Sequence, residues 1–313
     1  MTLSKGKKLI FGTRGSSLAL VQTRWVIQEL RKIFPHLEIE EKILSTKGDR
    51  DKTLPLRQLG GDGLFVKELE RALLQGCIDV AVHSLKDLPA KSPPKLRLAA
   101  IPRRAPAGDL LVSRFHPTLE SFPPGSVIGT GSARRRVQLR WAAPALEIVP
   151  IRGNLDTRLR KLRDGEYDGI IVAEAGVARV GYSIVRGLPV EPLARSVMLP
   201  APGQGALAVQ VRSEDRAVAE LVESLDCFET RSCVDAERAF LSACGGGCHN
   251  PIAAFARLSS RESMNLDAVV SRDDESFLIR LQAKSQGKES PSDLGRRLSE
   301  DARLWLGASN GQW

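Results

Sequence analysis

The chain has 313 residues, of which 42% are hydrophobic and 27% charged, and its formal net charge is +9. This composition is that of a globular protein, and the length suits two or three domains. No window of about 20 uninterrupted apolar residues occurs, which argues against a membrane span. The stretch Met1–Lys8 lacks the apolar segment of a secretory signal, so we expect a cytoplasmic protein.

The positive charge predicts an anionic partner. Arginine is commoner than lysine, and its planar guanidinium pairs with carboxylate or phosphate through two hydrogen bonds. Nucleic acid is one such partner. However, the longest basic run is Arg134–Arg136, and aromatic residues make up only 5% of the chain, so platforms for base stacking are scarce. The five cysteines are an odd number, which argues against a disulfide framework.

The first part of the chain alternates strand patterns with helix patterns. Ser16 and Ser17 supply N-cap chemistry where the first helix begins. Because strands alternate with helices, we expect a largely parallel α/β sheet. The predicted strands are Lys8–Gly12, Glu38–Leu44 and Ile78–Val82, and the predicted helices follow Ser17 and span Leu64–Gln75.

A proline-rich stretch, Pro89–Pro106, leads into a second α/β block, and Leu199–Gly205 is typical of a crossover connection. After about Asp226 the pattern changes to that of a small α+β domain. The second block has predicted strands Ser126–Gly129, Leu146–Pro150 and Tyr167–Ala173 and predicted helices Ala133–Trp141 and Asp156–Arg163. The last part has a predicted helix Thr230–Ala243 and predicted strands Phe255–Leu258 and Phe277–Ala283.

Three strand-to-helix turns carry arginine: Thr13–Ser17, Gly129–Arg136 and Arg152–Arg158. Backbone N–H groups and the helix dipole favour an anion at a helix N-terminus, whereas arginines there are unfavourable unless an anion lies between. Helix capping or a solvated basic face explains any one turn alone. Because the design recurs in both blocks, we expect an anion in a cleft between two lobes.

Asp87 is a carboxylate placed among cations. The segment His83–Pro89 follows a buried strand directly, and ligands of α/β sheets bind at the carboxyl ends of strands. An ionised carboxylate there could stabilise a cationic intermediate or move a proton. The alternative is that Asp87 is only a helix cap.

Three glycines, Gly245–Gly247, come directly before Cys248 and predict a flexible loop there. Cys248 is therefore a candidate nucleophile or attachment point. Structural zinc is an alternative, but the closely paired cysteines typical of zinc sites are missing from the sequence. Its ligands would be Cys244, Cys248 or His249 together with Cys227 and Cys233.

These motifs together resemble the porphobilinogen deaminase family, in the same order and from about Leu9 to Ile252. Any single motif is weak evidence, and the ordered set is specific. The segments that carry the resemblance are Thr13–Ser16, Gly63–Leu69, Ala81–Pro89, Gly129–Arg135, Arg152–Asn154, Gly203–Ala206 and Gly246–Ile252.

The resemblance implies a fold of two α/β lobes like those of periplasmic binding proteins, followed by a small C-terminal α+β domain. The domains would be residues 1–103 with 203–224, residues 104–202, and residues 225–313. It also implies a covalent dipyrromethane cofactor, joined through a thioether to Cys248. On this primer four porphobilinogen molecules would condense with loss of ammonia to hydroxymethylbilane. A monomer that binds neither nucleic acid nor a metal is expected.

By the same resemblance Asp87 is the catalytic carboxylate, Phe65 belongs to an active-site loop and Arg104 lies near the hinge. Arg136 is expected to be solvated. Asp62 departs from the family, which often has lysine there, so we doubt that residue 62 steers substrate. The residues expected to contact cofactor or substrate carboxylates are Arg14, Ser16, Ser84, Lys86, Thr130, Ser132, Arg134, Arg135, Arg152, Gly153, Arg158, Arg179 and Gln204.

Two other functions remain open from the residues alone. A two-lobed receptor for a small anion would share the fold, but it would need neither Asp87 nor the Cys248 loop. A nucleic-acid-binding protein would use the positive charge and would bind random DNA or RNA with a steep dependence on salt.

Overall fold

The computed structural model describes residues 8–44, 64–89, 92–246, 250–260, 263–272, 275 and 277–306, and for Leu64 and Phe65 it describes the backbone alone. The chain forms two compact units. The first contains the residues up to Arg104 together with Ala206–Arg231, and the second contains Ala105–Gly205 together with the residues from Ser232 onward. The division into three domains stays a prediction.

Among the described residues, strands and helices alternate in two stretches, residues 9–84 and 127–192, with two further strands between them. In chain order they are β1 (Leu9–Arg14), α1 (Ser17–Ile33), β2 (Ile39–Leu44), α2 (Leu64–Leu74), β3 (Val80–Ser84), β4 (Leu96–Ala100), β5 (Asp109–Ser113), β6 (Val127–Gly129), α3 (Ala133–Ala142), β7 (Glu147–Val149), α4 (Leu155–Arg163), β8 (Gly169–Ala173), α5 (Glu174–Val180), β9 (Val190–Pro192), β10 (Leu207–Arg212), α6 (Arg216–Glu223), α7 (Phe228–Ala243), β11 (Ile252–Ser260), β12 (Ser263–Ser271), β13 (Leu278–Lys284) and α8 (Pro291–Leu306).

The first unit is built on a five-stranded sheet in the order β2-β1-β3-β10-β4. Strands β2, β1 and β3 are parallel, whereas β10 is antiparallel to both β3 and β4. Val80 and Val209 are fully buried in the sheet, and Leu30 of α1 packs against the same core. Because β3 is buried along almost its whole length, its first three residues, Val80–Val82, are all apolar rather than alternating.

The second unit contains two sheets. One has the order β7-β6-β8-β5-β9, in which β6 is parallel to β7 and β8, and β5 is antiparallel to β8 and β9. The other is the antiparallel sheet β11-β12-β13. Phe240 of α7 and Leu294 of α8 share a core with Ala254 and Leu266 of this sheet.

This architecture confirms the predicted fold class of two α/β lobes and a small α+β domain. The expectation of a largely parallel sheet holds for four of the five strands in each five-stranded sheet, and the fifth makes both sheets mixed. In each, one strand runs against its neighbours: β10 in the first unit and β5 in the second. Among the described residues, no helix is both long and apolar enough to cross a membrane.

Candidate active site

The first strand-to-helix turn lies at the carboxyl end of β1. The buried Thr13 hydroxyl donates a hydrogen bond to the carbonyl of Ala19 at 3.2 Å, which ties the strand end to the first turn of α1. The Ser16 hydroxyl accepts from the Ala19 N–H at 3.4 Å and caps the helix, as the sequence predicts. Arg14 therefore lies between two hydroxyl residues, Thr13 and Ser16, that both bind the first turn of α1.

Asp87 lies on a short 3-10 turn at the carboxyl end of β3, next to β1 in the sheet. The buried Leu85 anchors this turn, and its N–H donates to the carbonyl of Ala206 at 3.0 Å. The Ser84 hydroxyl accepts from the side-chain amide of Gln22 at 3.0 Å. Lys86 and Asp87 follow, and Asp87 is exposed to solvent. The turn thus presents a carboxylate and an ammonium group at the edge that also carries Arg14.

His83 is a buried residue beneath this turn whose contacts the sequence did not reveal. Its Nε2 lies 3.0 Å from Oε1 of Gln210, and the Gln210 amide donates to Glu70 at 3.0 Å. Because the Gln210 amide nitrogen is directed to a carboxylate, its oxygen faces the histidine, so Nε2 carries the proton. Burial lowers the pKa of His83 to about 4; the hydrogen bond to Gln210 opposes this effect and the charge of Arg14 adds to it. The imidazole is therefore neutral near pH 7.

The second turn follows β6 in the other unit. The buried Thr130 hydroxyl accepts from the Ser132 N–H at 3.3 Å, and the Ser132 hydroxyl accepts from the Arg135 N–H at 3.4 Å, which caps α3. A Cβ on Gly131 would lie only 2.9 Å from the carbonyl oxygen of Ile151. The turn therefore needs glycine for close packing against the neighbouring segment.

Arg134 and Arg135 are buried and share one carboxylate, Asp109, which is also buried. Arg134 Nη1 lies 2.8 Å and Arg135 Nη2 2.6 Å from its oxygens. The amide of Gln204 also donates to Asp109, at 3.0 Å. Burial, the largest cause, and the neighbouring Arg135 both lower the pKa of Arg134, while Asp109 raises it. The sequence predicted an anionic ligand for these arginines, and that remains a prediction; it did not reveal that Asp109 of the chain itself pairs with both.

The third turn follows β7, which is parallel to β6, so the two turns lie at the same edge of the sheet. Gly153 has φ +107°, a left-handed conformation that favours glycine. Asn154 caps α4 by accepting from the Thr157 N–H at 2.9 Å. Arg158 Nε donates to the Gly153 carbonyl at 2.8 Å, and Arg152 is exposed.

Two further arginines of the second unit have defined partners. Arg179, on α5, donates from Nη2 to the carbonyl of Gly205 at 2.7 Å, and burial lowers its pKa to about 10. It stays protonated at neutral pH. The expectation that Arg136 is solvated was wrong, because its guanidinium forms an ion pair with Glu275, whose carboxylate also pairs with Arg140.

Cys248, Asp62 and the side chain of Phe65 lie outside the described residues. Cys244, near the loop of Cys248, is buried, and burial raises the pKa of its thiol to about 12. Within the described part of the chain, no group of three or more His, Cys, Asp or Glu side chains is arranged to hold a metal ion.

The predicted site residues therefore form one group in each unit. The first unit holds Arg14, Ser16, Ser84, Lys86 and Asp87 at neighbouring strand ends. The second holds Thr130, Ser132, Arg134, Arg135, Arg152, Gly153, Arg158, Arg179 and Gln204, most of them at the carboxyl ends of β6, β7 and β8.

Two family models match the chain. One, described as the dipyrromethane cofactor binding domain of porphobilinogen deaminase, matches residues 9–220, and the other, the C-terminal domain of porphobilinogen deaminase, matches residues 231–303. Porphobilinogen deaminase from Syntrophus aciditrophicus is 45% identical over 291 residues, which cover 92% of this chain and 93% of that protein. The enzyme from Lawsonia intracellularis is 43% identical over 94% of each chain.

Solved structures give a weaker likeness. A probable amino-acid ABC transporter extracellular-binding protein from Bacillus subtilis, ytmK, is 13% identical with a TM-score of 0.41, covering 70% of this chain and 90% of that one. The BenM effector binding domain with benzoate is 17% identical with a TM-score of 0.40, covering 70% and 91%. At this level the likeness says nothing about ligands.

Proposed function

The chain belongs to the porphobilinogen deaminase family, and we propose that Asp87 is its catalytic carboxylate and that Cys248 carries its cofactor. The activity is that of the family: porphobilinogen molecules are condensed head to tail, with loss of ammonia, to hydroxymethylbilane. Dipyrromethane, when attached to the chain, supplies the free pyrrole α-position at which the product begins.

The observation that carries the assignment of Asp87 is its position on an anchored turn beside the turn of Arg14. Ammonia loss leaves a cationic pyrrole derivative. A carboxylate next to the pyrrole N–H stabilises this positive charge, and it can accept the proton released when the new carbon–carbon bond is complete. Its exposure leaves Asp87 open to substrate.

The residues of the second unit fit a carboxylate-bearing cofactor. Arg134, Arg135 and Asp109 together carry one net positive charge in a buried environment, which an additional carboxylate would balance. Guanidinium groups are the donors best matched to carboxylates. The hydroxyls and N–H groups of the turns at Thr130 and Gly153 add further donors at the same edge. These residues would hold the acetate and propionate groups of dipyrromethane.

Three further expectations, on oligomeric state, location and domain bounds, complete the proposal. The enzyme acts as a monomer, its location is cytoplasmic, and its three domains are residues 1–103 with 203–224, residues 104–202 and residues 225–313. The mass of the purified enzyme in solution, measured by light scattering, tests the first of these, and a dimer would contradict it.

The role of Asp87 is tested with Asp87→Asn, which keeps the shape and removes the charge. We expect the rate of hydroxymethylbilane formation to fall by about 10²–10⁴-fold while the covalent cofactor is retained. Asp164→Asn is the matched control, because Asp164 is exposed and, among the described residues, its one ion pair is with Arg160 across one helical turn. An Asp87→Asn enzyme with the wild-type rate would remove Asp87 from the mechanism.

A further inference from the structure

Gln138 is a buried amide in α3, one helical turn after Arg134, to which the proposed reaction assigns no role. Its Oε1 accepts a hydrogen bond from the backbone N–H of Leu199 at 2.8 Å. Its Nε2 donates to the carbonyl of Leu199 at 3.1 Å and to the carbonyl of Arg134 at 3.2 Å. One side chain therefore binds both backbone groups of a residue 61 positions away in the sequence.

The amide of Gln138 has one orientation in this arrangement. Nη2 of Arg280, in β13, donates to Oε1 of Gln138 at 3.5 Å and to the carbonyl of Val197 at 3.4 Å. A guanidinium group only donates and a carbonyl only accepts. The oxygen of the amide therefore faces Arg280, and its nitrogen faces the carbonyls of Leu199 and Arg134.

The carbonyl of Leu199 accepts from Arg134 as well as from Gln138. Nη1 of Arg134 donates to this carbonyl at 2.6 Å, and it lies 2.8 Å from Oδ2 of Asp109. The guanidinium group is thus held between a carboxylate and a backbone carbonyl. Gln138 fixes the second of these two acceptors.

The segment that begins at Leu199 is tied to the same carboxylate at its other end. The amide of Gln204 donates to Asp109 at 3.0 Å, and Asp109 also pairs with Arg135 at 2.6 Å. A shift of the Leu199 carbonyl would therefore act on Arg134 directly, while Arg135 keeps its own contact with Asp109.

Satisfying the backbone of Leu199 accounts for part of this arrangement. Leu199 is buried and lies outside the helices and strands, so its N–H and carbonyl need partners. Arg134 adds something that this role does not require. Its long side chain loses much rotational freedom when it is fixed, and donors that are already ordered bind a charged ligand more tightly.

We propose that Gln138 is a positioning residue, which holds the Leu199 carbonyl where it orients the guanidinium group of Arg134 toward a carboxylate of the cofactor. The inference rests on the proposed role of Arg134 in binding dipyrromethane. Gln138 acts through Leu199 and Arg134, so its replacement should impair cofactor binding only while Arg134 is present.

The test is a cycle of four proteins: wild type, Gln138→Met, Arg134→Met and the double variant. Methionine has nearly the length of glutamine and lacks its amide. Each protein is produced in cells that cannot make porphobilinogen, and its covalent gain in mass is followed after addition of hydroxymethylbilane. We expect Gln138→Met to slow this gain by at least about fivefold when Arg134 is present and by less than about twofold in the Arg134→Met background.

Leu139→Ala is the matched control. Leu139 is buried beside Gln138 in the same helix, but its side chain has no hydrogen-bonding group. The cavity that this change leaves weakens the packing of α3. At a temperature at which all the variants are folded, it should change the rate of mass gain by the same factor with and without Arg134.

The outcomes separate the inference from the proposed function. If the wild type gains mass but Gln138→Met slows the gain equally in both backgrounds, or not at all, Gln138 is merely structural and the inference is overturned, while the proposed function stands. If Arg134→Met gains mass at the wild-type rate, the inference falls together with the role of Arg134. A wild type that gains no mass would overturn both the inference and the proposed function.

Amide hydrogen exchange provides a second measurement that needs no substitution at Gln138. The N–H of the adjacent Met198 donates to the carbonyl of Ala194 at 2.8 Å and serves as the internal reference. Relative to Met198, the N–H of Leu199 should exchange at least about tenfold faster in cofactor-free Arg134→Met than in the cofactor-free wild type, because the Leu199 peptide loses a contact at its carbonyl. An unchanged ratio would overturn the inference even if Gln138→Met does not fold.

Discussion

Asp109→Asn is a substitution for which the structure predicts a large loss of stability. Asp109 is fully buried and balances two guanidinium groups that are also buried. The variant keeps the shape but leaves both positive charges without this carboxylate. Removing one partner of a buried ion pair costs about 3–5 kcal/mol. For a chain of this size that corresponds to a fall in melting temperature of about 10 °C.

Thermal unfolding followed by far-ultraviolet circular dichroism measures this fall. Glu223→Gln is the control, because the pair of Arg97 and Glu223 is as short, at 2.6 Å, but its side chains are 43% and 42% exposed. Loss of this exposed ion pair should lower the free energy of unfolding by less than about 1 kcal/mol. Adding Arg134→Met to Asp109→Asn should recover part of the loss, since one of the two unbalanced charges is then gone. An Asp109→Asn protein that melts within about 2 °C of the wild type would refute the reasoning.

Further predictions concern acid, thiol reactivity and one turn. Burial lowers the pKa of His83 to about 4. As the pH falls through 6.5 toward 4, the unfolded chain therefore binds a proton that the folded chain does not. The difference in free energy of unfolding between wild type and His83→Asn, measured in urea, should shrink by about 3 kcal/mol between pH 7 and pH 4. A constant difference would contradict the buried neutral state. At pH 7, alkylation and peptide mapping should find the exposed Cys77 modified and Cys244 intact, because burial raises the pKa of Cys244 to about 12. Gly153→Ala should lower the free energy of unfolding by about 1–3 kcal/mol, because Gly153 has a φ of +107°. Gly15→Ala is the control and should be nearly neutral, because Gly15 has an ordinary φ and the nearest contact of an added Cβ would be 3.6 Å. Equal losses of stability in the two variants would rule out backbone strain at Gly153.

Local patterns were enough to predict much of the fold. The hydroxyls of Ser16 and Ser132 and the amide of Asn154 each cap the helix that the sequence predicted after them. Capping requires contacts with residues only three positions away, so short stretches of sequence contain the whole signal. Capping was also the alternative explanation of these turns, and a cap can still offer its remaining donors to a ligand.

Contacts distant in sequence could not be predicted in this way. Asp109 lies 26 residues before Arg135 and 95 before Gln204, and nothing in its own neighbourhood indicates that it would be buried. The reversed strand β10 was missed for a related reason: a short apolar run such as Leu207–Val209 predicts a buried strand but carries no information on its direction.

The central claim, that a dipyrromethane primer on Cys248 supports the reaction, is tested most directly by the intact mass of the freshly purified protein beside its Cys248→Ser variant. The account predicts an excess equal to two porphobilinogen units less two ammonia molecules in the wild type and none in the variant. Added porphobilinogen should then produce further steps of one deaminated pyrrole each. A wild-type mass that equals the bare chain, and stays so after incubation with porphobilinogen or hydroxymethylbilane, would contradict the account and favour a non-catalytic anion receptor.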